Sequence, residues 1–271
     1  MKLLLLAATL AGLCMAMISI QPEKSSKPAA PAGEASKPSF RILVFSKTAG
    51  FRHDSIPDGI AAIQKLGKEN GFDVDATEDA ALFTEDNLGR YAAVLFLSTT
   101  GDVLDDDQQK AFEAYIAKGR GFVGVHAAAD TEYEWPWFGT LVGAYFKSHP
   151  KIQDATNKVE DRTHPSTHHL AEEWKRHDEW YTYKDNPRSR VHVLISLDES
   201  TYEGGGMDGD HPIAWCNTVA GGRSWYTGGG HTKESFTEPD FLKHLLGGIK
   251  WAAGVAPWTP VQPAPTQTAD N

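Results

Sequence analysis

The chain has 271 residues and a formal net charge of −10 at pH 7, from 26 Lys and Arg side chains against 36 Asp and Glu. No basic cluster interrupts this acidic balance, and a nucleic-acid binder needs a cationic surface that displaces counterions from phosphate. The composition therefore predicts no nucleic-acid partner. The two cysteines, Cys14 and Cys216, exclude a disulfide framework within one chain once the N-terminal segment is removed.

Residues 1–20 have the pattern of a secretory signal peptide, in which Lys2 precedes a long apolar run. An apolar run of about 18 residues also nearly spans a bilayer, so a retained membrane anchor is the alternative. A third outcome is a lipid on Cys14, because residues 10–14 resemble a bacterial lipoprotein box, except that Leu13 stands where a small residue is expected. We expect an exported protein, periplasmic or on the outer surface, with its N-terminus as the only membrane tether.

Composition divides the rest of the chain into three parts. Residues 21–39 are rich in Pro, Ser, Lys and Ala without an apolar period, which predicts a linker. Residues 256–271 contain four prolines and predict a disordered tail. The segment 40–255 between them is long enough for one large α/β domain with its own core.

The first half of this domain alternates strand and helix patterns. Arg41 to Ser46 is a nearly continuous apolar run, typical of a strand buried on both faces. A loop then leads to a predicted helix at 58–69, and Asp105 to Lys118 forms a second helix with acidic residues in its first turn. Further strands are predicted at Phe72–Asp75, Ala92–Ser98 and Phe122–Val125. This alternation predicts an α/β fold with a mostly parallel sheet and helices on both faces.

The second half has more strand and longer loops. Strands are predicted at 191–195, 212–215 and 224–227, and a final helix at 239–253. In sheets of parallel strands, ligands bind at the carboxyl ends of the strands. We therefore expect the functional site in the loops that follow Ser46, Ser98 and Val125.

Two of these loops carry a histidine. His53 precedes the first helix, where it is either a ligand or general base, or a solvated side chain beside a capping Asp54 or Ser55. The fourth strand runs directly into His126 and three alanines, the kind of sharp turn on which α/β hydrolases and amidotransferases expose a nucleophile. A polar ring at the end of such a strand usually faces a cleft, and a core histidine is the alternative.

A third histidine, His231, follows three glycines after a predicted strand, and glycines let a backbone approach a ligand closely. If His53, His126 and His231 meet in one cleft, their imidazoles can bind a divalent metal, Zn²⁺ or another borderline ion, with one open position. The sequence has no HExxH motif and no Cys-rich zinc spacing. The metal site is therefore a hypothesis about geometry.

Aromatic residues accompany carboxylates at two places, Asp178–Tyr181 and Asp210–Trp215. Aromatic rings cover the apolar face of a sugar and carboxylates bind its hydroxyls, but an ordinary aromatic core has the same composition. Two carboxylates also suit glycoside hydrolysis. We rank that reaction lower because Asp178 and Glu179 are adjacent and would point to opposite faces of a strand.

Seven short motifs stand in one order along residues 40 to 254. They are Gly50-Phe51-Arg52-His53, Gly124-Val125-His126-Ala127-Ala128, Trp137-Phe138-Gly139-Thr140-Leu141-Val142-Gly143, Phe146-Lys147-Ser148-His149-Pro150, Asp178-Glu179-Trp180-Tyr181, His211-Pro212-Ile213-Ala214-Trp215 and Gly230-His231-Thr232. Together they resemble the ThuA-like (trehalose-utilisation) family. The resemblance implies a class I glutamine amidotransferase-like, or flavodoxin-like, α/β fold. His126 stands where the cysteine nucleophile of an amidotransferase would be, so glutaminase chemistry is not expected.

The resemblance also implies a role in bacterial breakdown of disaccharides through 3-keto sugars, with a small-molecule carbohydrate as partner. A ketone makes the neighbouring C–H acidic, so we expect metal-assisted proton transfer that ends in isomerisation or glycosidic cleavage. We assign catalysis to His53, His126, Glu179 and Tyr181, metal binding to His53, His126 and His231, and substrate binding to Arg52, Asp130, Trp137, His211 and Trp215.

The competing hypothesis is a carbohydrate-binding or accessory module that keeps the fold and lacks turnover. Such a module would need the aromatic residues of the cleft but not its histidines. We favour an enzyme, because imidazoles are poor platforms for sugars but good metal ligands and acid–base groups. The sequence does not indicate the oligomeric state, the exact substrate or the identity of the metal.

Overall fold

The computed structural model describes residues 40–259. The predicted signal peptide, the linker and residues 260–271 lie outside the described residues. Within this range no helix combines the length and the apolar character that a membrane span requires. The folded chain extends past the predicted boundary at residue 255, because the ring of Trp258 packs against His164 and Trp251.

The first half of the chain forms the predicted strands and helices, and one short helix (Glu85–Leu88) that was not predicted. Strands alternate with helices in the order β1 (Arg41–Phe45), α1 (Ile56–Asn70), β2 (Asp73–Thr77), α2 (Glu85–Leu88), β3 (Ala93–Leu97), α3 (Asp106–Ala117) and β4 (Gly121–Val125). Every residue of β3 and β4 is buried, as expected for strands covered on both faces. Asp105 and Gln108 form a capping box at the start of α3, which satisfies backbone N–H groups that have no partner inside the helix.

The second half contains five elements that the sequence patterns do not reveal: α4 (Pro136–Val142), β5 (Phe146–Ser148), β6 (Gln153–Val159), β7 (Glu173–Asp178) and β8 (Thr182–Tyr183). The predicted elements follow as β9 (His192–Leu197), β10 (His211–Val219), β11 (Gly222–Thr227) and α5 (Pro239–Ala252). Strands β6 and β7 carry mostly polar side chains and pair with each other through their backbones. A polar strand has no apolar run that a sequence pattern could detect.

The main sheet has nine strands in the order β2-β1-β3-β4-β11-β10-β9-β6-β7. The first five strands are parallel to their neighbours, and each later pairing is antiparallel. A separate small sheet pairs β5 with β8. The prediction of a mostly parallel sheet therefore holds for the core of the sheet, and the complete sheet is mixed because hairpin-like pairings extend it on one side.

Helices cover both faces of the sheet, as predicted. Successive residues of a strand point to opposite faces. On β11, Ser224 donates a hydrogen bond to the carbonyl of Leu141 in α4, while a Cβ on Gly248 of α5 would lie 2.4 Å from the ring of the next residue, Trp225. Helices α4 and α5 therefore lie on opposite faces, and α5 approaches closely enough to require a glycine.

One buried carboxylate connects the far edge of the sheet to the loop after β11. Asp178, the last residue of β7, accepts hydrogen bonds from the backbone N–H groups of Gly230 and His231 at 2.8 and 3.1 Å. It also pairs with Arg176 at 3.0 Å, and both side chains are nearly inaccessible to solvent. Burial would raise the pKa of Asp178, but Arg176 and these donors lower it overall. An ionised Asp178 thus holds the loop of His231 beside the next residue, Glu179.

Candidate metal centre

Four side chains from four separate loops meet at the carboxyl edge of the parallel strands. His53 lies between β1 and α1, His126 directly follows β4, and His231 lies in the loop after β11. Glu179 directly follows β7. One potential ligand atom from each of these four residues lies within 4.8 Å of all the others. The convergence of the three histidines, expected from their positions after strands, is therefore observed, and Glu179 joins them.

Four of the six donor-atom distances within this metal cluster, defined as His53, His126, Glu179 and His231, have the size expected of a tetrahedral site, and the other two are at most 4.8 Å. His126 Nε2 lies 3.2 Å from both His53 Nε2 and His231 Nδ1. Glu179 Oε2 lies 3.4 Å from His126 Nε2 and 3.2 Å from His231 Nδ1. Ligands about 2.0–2.1 Å from a zinc ion at tetrahedral angles are about 3.3 Å apart. The four donor atoms therefore fit a small divalent ion.

The tautomer of His126 supports the same interpretation. Its Nδ1 lies 2.9 Å from the carbonyl oxygen of Gly228, and a carbonyl can only accept, so Nδ1 carries the proton. The lone pair is then on Nε2, which faces the rest of the cluster. A hydrogen bond from the far ring nitrogen to a carbonyl is the usual way in which a metal-binding histidine is oriented.

The backbone of His126 is strained in a way that aims this ring. Its φ is +52°, in the left-handed region that residues other than glycine adopt at a cost of order 1 kcal/mol. The strand ends there and a short 3₁₀ turn, His126–Asp130, begins. The alanines of the turn are completely buried, which explains why small residues follow the histidine: larger side chains would not fit.

The charges of the cluster suit a cation. Burial and the neighbouring imidazoles lower the pKa of His53 to about 3, so this ring is neutral at pH 7. Burial would raise the pKa of Glu179, but the neighbouring His126 and His231 outweigh it and hold the pKa far below its usual value. Burial would lower the pKa of His231, but Glu179 raises it overall, so this ring would give up its proton to an incoming cation. Imidazoles and one carboxylate are ligands that Zn²⁺ and similar borderline ions prefer. The residues present therefore fit such a group.

A cavity of about 340 Å³ opens above the metal cluster, within the usual range for small-molecule sites. Its lining residues are Phe51, His53, Asp130, Phe146, His149, Glu179, Tyr181 and His231. The rings of Phe146 and Tyr181 lie 4.2 Å apart, and Tyr181 also packs on His126 at 4.3 Å. The cavity thus has aromatic walls above a polar floor.

Three cavity residues were not predicted: Phe51, Phe146 and His149. The half-exposed His149 places Nδ1 3.0 Å from Glu179 Oε1 and 2.9 Å from the carbonyl oxygen of Pro150, so Glu179 bridges the metal cluster to a further imidazole. All three stand in motifs that carry the family resemblance. Phe51 is 66% exposed, and an exposed aromatic next to a predicted ligand was the signal that could have identified it.

Two of the predicted substrate-binding residues lie near the cavity without lining it. Arg52 is exposed and makes a bidentate ion pair with Glu78, at 2.6 and 3.0 Å. His211 is completely buried, with Nδ1 2.9 Å from Glu199 and Nε2 2.8 Å from the backbone carbonyl oxygen of Tyr181. His211 therefore holds the backbone of a cavity residue and does not reach the cavity itself.

The two predicted tryptophans lie in or against the core: Trp215 is part of it, and the half-buried Trp137 packs against it. Trp215 is buried and donates from Nε1 to the carbonyl of Val142. Trp137 stacks on Trp135 at 5.1 Å, on the face of the sheet that α4 covers. Neither ring lines the cavity. Of the predicted substrate-binding residues, Asp130 lines the cavity.

The comparisons with known proteins agree with this fold. A crystal structure of a ThuA-like protein from Bacteroides uniformis is 27% identical, covers 83% of this chain and 95% of its own, and superposes with a TM-score of 0.71. A ThuA-like protein from Parabacteroides merdae is 20% identical over 83% of this chain and 93% of its own, with a TM-score of 0.70. A β-galactosidase from Bacillus circulans is 14% identical over 80% of this chain but 31% of its own, with a TM-score of 0.53, a likeness of fold alone.

A search of curated proteins finds no match. The model of one protein family, ThuA (trehalose utilisation), matches residues 41–252. That range includes all four residues of the metal cluster and every element from β1 to α5. With most of its length matched, this chain belongs to the ThuA family.

Proposed function

We propose that this protein binds a divalent metal ion, Zn²⁺ in the first instance, through the metal cluster and uses the cavity above it to process an oxidised sugar. The observation that carries the proposal is the set of four donor atoms that all lie within 4.8 Å of one another, four pairs of them at 3.2 to 3.4 Å, below a cavity with aromatic walls. Membership of the ThuA family supports a sugar-related role. The substrate class we propose is a 3-keto-glycoside or 3-keto-disaccharide.

The reaction that suits this site is proton transfer next to the ketone. A bound ion would polarise the ketone oxygen and so acidify the neighbouring C–H. One ring nitrogen of each of His53, His126 and His231 faces the others, which suits these residues to holding the ion. The rings of Phe146 and Tyr181 can cover the apolar face of a pyranose, and Asp130 and His149 offer polar groups for its hydroxyls or for the proton.

The step that follows removal of the proton decides which product forms. If the proton returns to a neighbouring carbon, the result is an isomer. If the electron pair instead expels the glycosidic oxygen, the result is cleavage of the sugar bond. Both outcomes use the same first step and the same residues, and product analysis by NMR distinguishes them.

Metal analysis of the purified protein tests this proposal first. The wild type and the exposed-site control His168→Ala are expected to hold about one equivalent of metal, because a tetrahedral site takes one ion. His126→Ala is expected to lose it, since it removes the central nitrogen. Metal retained by folded His126→Ala, or no metal in any variant after loading with Zn²⁺, would refute the metal site.

A non-catalytic sugar-binding module is the second candidate, favoured by the aromatic cavity walls and the exposure of Phe51. Calorimetry with a 3-keto-glucoside separates the two. In a binding module, His126→Ala would bind the sugar as the wild type does, and neither protein would convert it. In an enzyme, the wild type converts the sugar and His126→Ala does not.

Two further expectations stay proposals. The first is export to the periplasm or the outer surface, with a lipid on Cys14 as the form of a tether; fractionation and mass spectrometry of the N-terminus test it. The second is a flavodoxin-like core. The order β2-β1-β3-β4-β11 of the parallel strands supports it, because the flavodoxin-like order is 2-1-3-4-5.

A further inference from the structure

We infer that Asp130 is the catalytic residue that takes the proton from the sugar and returns it, and that Tyr133 positions its carboxylate. The inference rests on the proposed function and deepens it, since it separates the proton-transfer group from the metal cluster. It assigns to Asp130 a different role from holding sugar hydroxyls.

Asp130 shares the cavity with the metal cluster but does not belong to it. It is the last residue of the 3₁₀ turn that begins at His126. It lines the cavity, and it is not one of the four residues of the metal cluster. Its backbone carbonyl accepts a hydrogen bond from the N–H of Gly101 at 2.8 Å, and the next residue, Thr131, pairs with Gly101 in a parallel bridge. The backbone that carries the carboxylate is therefore held by the backbone of Gly101.

The other polar groups of the cavity are occupied. His53, His231 and one oxygen of Glu179 face the metal cluster. The second oxygen of Glu179 faces His149. The phenol of Tyr181 is protonated at neutral pH and cannot accept a proton from carbon. A carboxylate outside the cluster is thus the base that remains, with Nε2 of His149 as the rival.

The contact with Tyr133 suits a carboxylate that changes its protonation state. The hydroxyl of Tyr133 lies 2.6 Å from Asp130 Oδ1 and 3.1 Å from the carbonyl oxygen of Phe146. A hydroxyl has one proton and can also accept. It can therefore donate to ionised Asp130, and it can turn to the Phe146 carbonyl and accept once Asp130 is protonated. Both states of the carboxyl keep a hydrogen bond.

The surroundings raise the pKa of Asp130 toward the range in which a carboxylate is an effective base. Burial raises its pKa, while the hydrogen bond from Tyr133 and the charges of His126 and Lys184 oppose this rise. The ammonium of Lys184 lies 3.9 Å from the centre of the Tyr133 ring. Burial raises the pKa of Tyr181 and of Tyr226, and the charge of the Asp130 carboxylate adds to both rises. A base is most effective when its pKa approaches the working pH.

The step balances without a further reactant. The carboxylate of Asp130 takes the proton from the carbon next to the ketone, and the C–H electron pair forms a C=C bond while the ketone π pair moves to oxygen. When the ketone re-forms, the glycosidic C–O bond on the adjacent carbon breaks, and the leaving oxygen takes the proton from the Asp130 carboxyl. The products are an enone and an alcohol, and the carboxylate is restored. Return of the proton to the same carbon gives exchange with solvent.

The test measures this exchange in D₂O with methyl 3-keto-α-glucoside, by loss of the proton NMR signal of the hydrogen beside the ketone. Asp130→Asn is expected to lower the exchange rate about 100-fold or more while calorimetry still shows sugar binding. Glu134→Gln, which removes an exposed carboxylate a few residues away, should leave both unchanged. Tyr133→Phe should retain exchange but shift its pH profile upward, because the lost hydrogen bond no longer lowers the pKa of Asp130. Carboxyl ¹³C NMR should show the same upward shift directly.

Exchange by Asp130→Asn at nearly the wild-type rate would overturn the inference and leave the proposed function standing. Loss of exchange in His149→Gln but not in Asp130→Asn would assign the proton to His149. Loss of sugar binding in Asp130→Asn would show a binding role instead. If the wild type neither binds nor exchanges the ketone, the proposed function fails, and the inference fails with it.

Discussion

Two groups of buried histidines in this protein differ in what their nitrogens face. In the metal cluster, the ring nitrogens of His53, His126 and His231 face one another and the carboxylate of Glu179. Beside α5, the Nδ1 atoms of His164 and His244 face Ser166. His164 Nδ1 lies 2.8 Å from its hydroxyl oxygen, and His244 Nδ1 lies 2.9 Å from its carbonyl oxygen. We call His164 and His244 the core pair; tryptophans surround it, with Trp225 4.8 Å from the ring of His244.

Burial alone does not distinguish these groups. It lowers the pKa of His53, His164 and His244 alike, each to about 3. A perturbed pKa therefore identifies a buried imidazole and not its role. What differs is what the ring nitrogens face: the Nδ1 atoms of the core pair face separate hydrogen-bonding groups, while in the metal cluster one nitrogen of each ring faces the nitrogens of the others. The following predictions test this difference, from the largest effect to the smallest.

His244→Ala should destabilise the protein strongly without removing its metal. The substitution deletes a completely buried ring that packs on Trp225 and two hydrogen bonds, and comparable core truncations cost about 3 kcal/mol. Urea unfolding and metal analysis of the folded protein check both parts, with exposed His168→Ala as the control. Loss of metal from folded His244→Ala would contradict the separation of the two groups.

Removing the metal should destabilise the wild type but not a variant of the cluster. An ion present at 100 times its dissociation constant adds about 2.7 kcal/mol to folding. A chelator should therefore lower the Tm of the wild type and of His164→Gln, and leave the Tm of His126→Ala unchanged. Equal chelator effects in all three proteins would place the metal elsewhere.

Acid should destabilise the fold through the core pair. The unfolded pKa of a histidine is near 6.5, and the folded pKa of His244 is about 3, so the unfolded chain binds more protons between these values. Stability is then complete above pH 6.5 and falls as the pH falls toward 3, by about 1.4 kcal/mol for each such histidine at pH 5.5. Denaturation of the chelator-treated wild type and of His244→Gln at pH 7.5 and 5.5 checks this, and an unchanged slope in the variant would contradict it.

His149→Gln should weaken metal binding without abolishing it. His149 contacts the oxygen of Glu179 that faces away from the cluster, and loss of such a supporting contact typically costs about 10-fold in affinity. Competition with a zinc-sensitive dye measures this change. An affinity equal to that of the wild type would show that Glu179 is oriented without His149.

Local sequence patterns account for much of the fold. The sequence patterns predict β1, β3, β4 and α5 to within one residue of their observed ends, because a strand buried on both faces carries apolar side chains throughout and a helix packed on a sheet carries them on one face. They also place His53, His126 and His231 after strands of a parallel core, and the carboxyl ends of such strands share one edge. The candidate ligands followed from that rule.

Only the tertiary structure decided which aromatic and acidic residues join the three histidines at the site. Trp215 and Phe146 are both aromatic residues in family motifs, yet one is core and the other lines the cavity, because side-chain contacts and not composition determine exposure. Glu179 follows a polar edge strand that no apolar run reveals. It reaches His126 because Asp178 accepts the N–H groups of the loop after β11, a contact between residues 52 or more positions apart that no local pattern encodes.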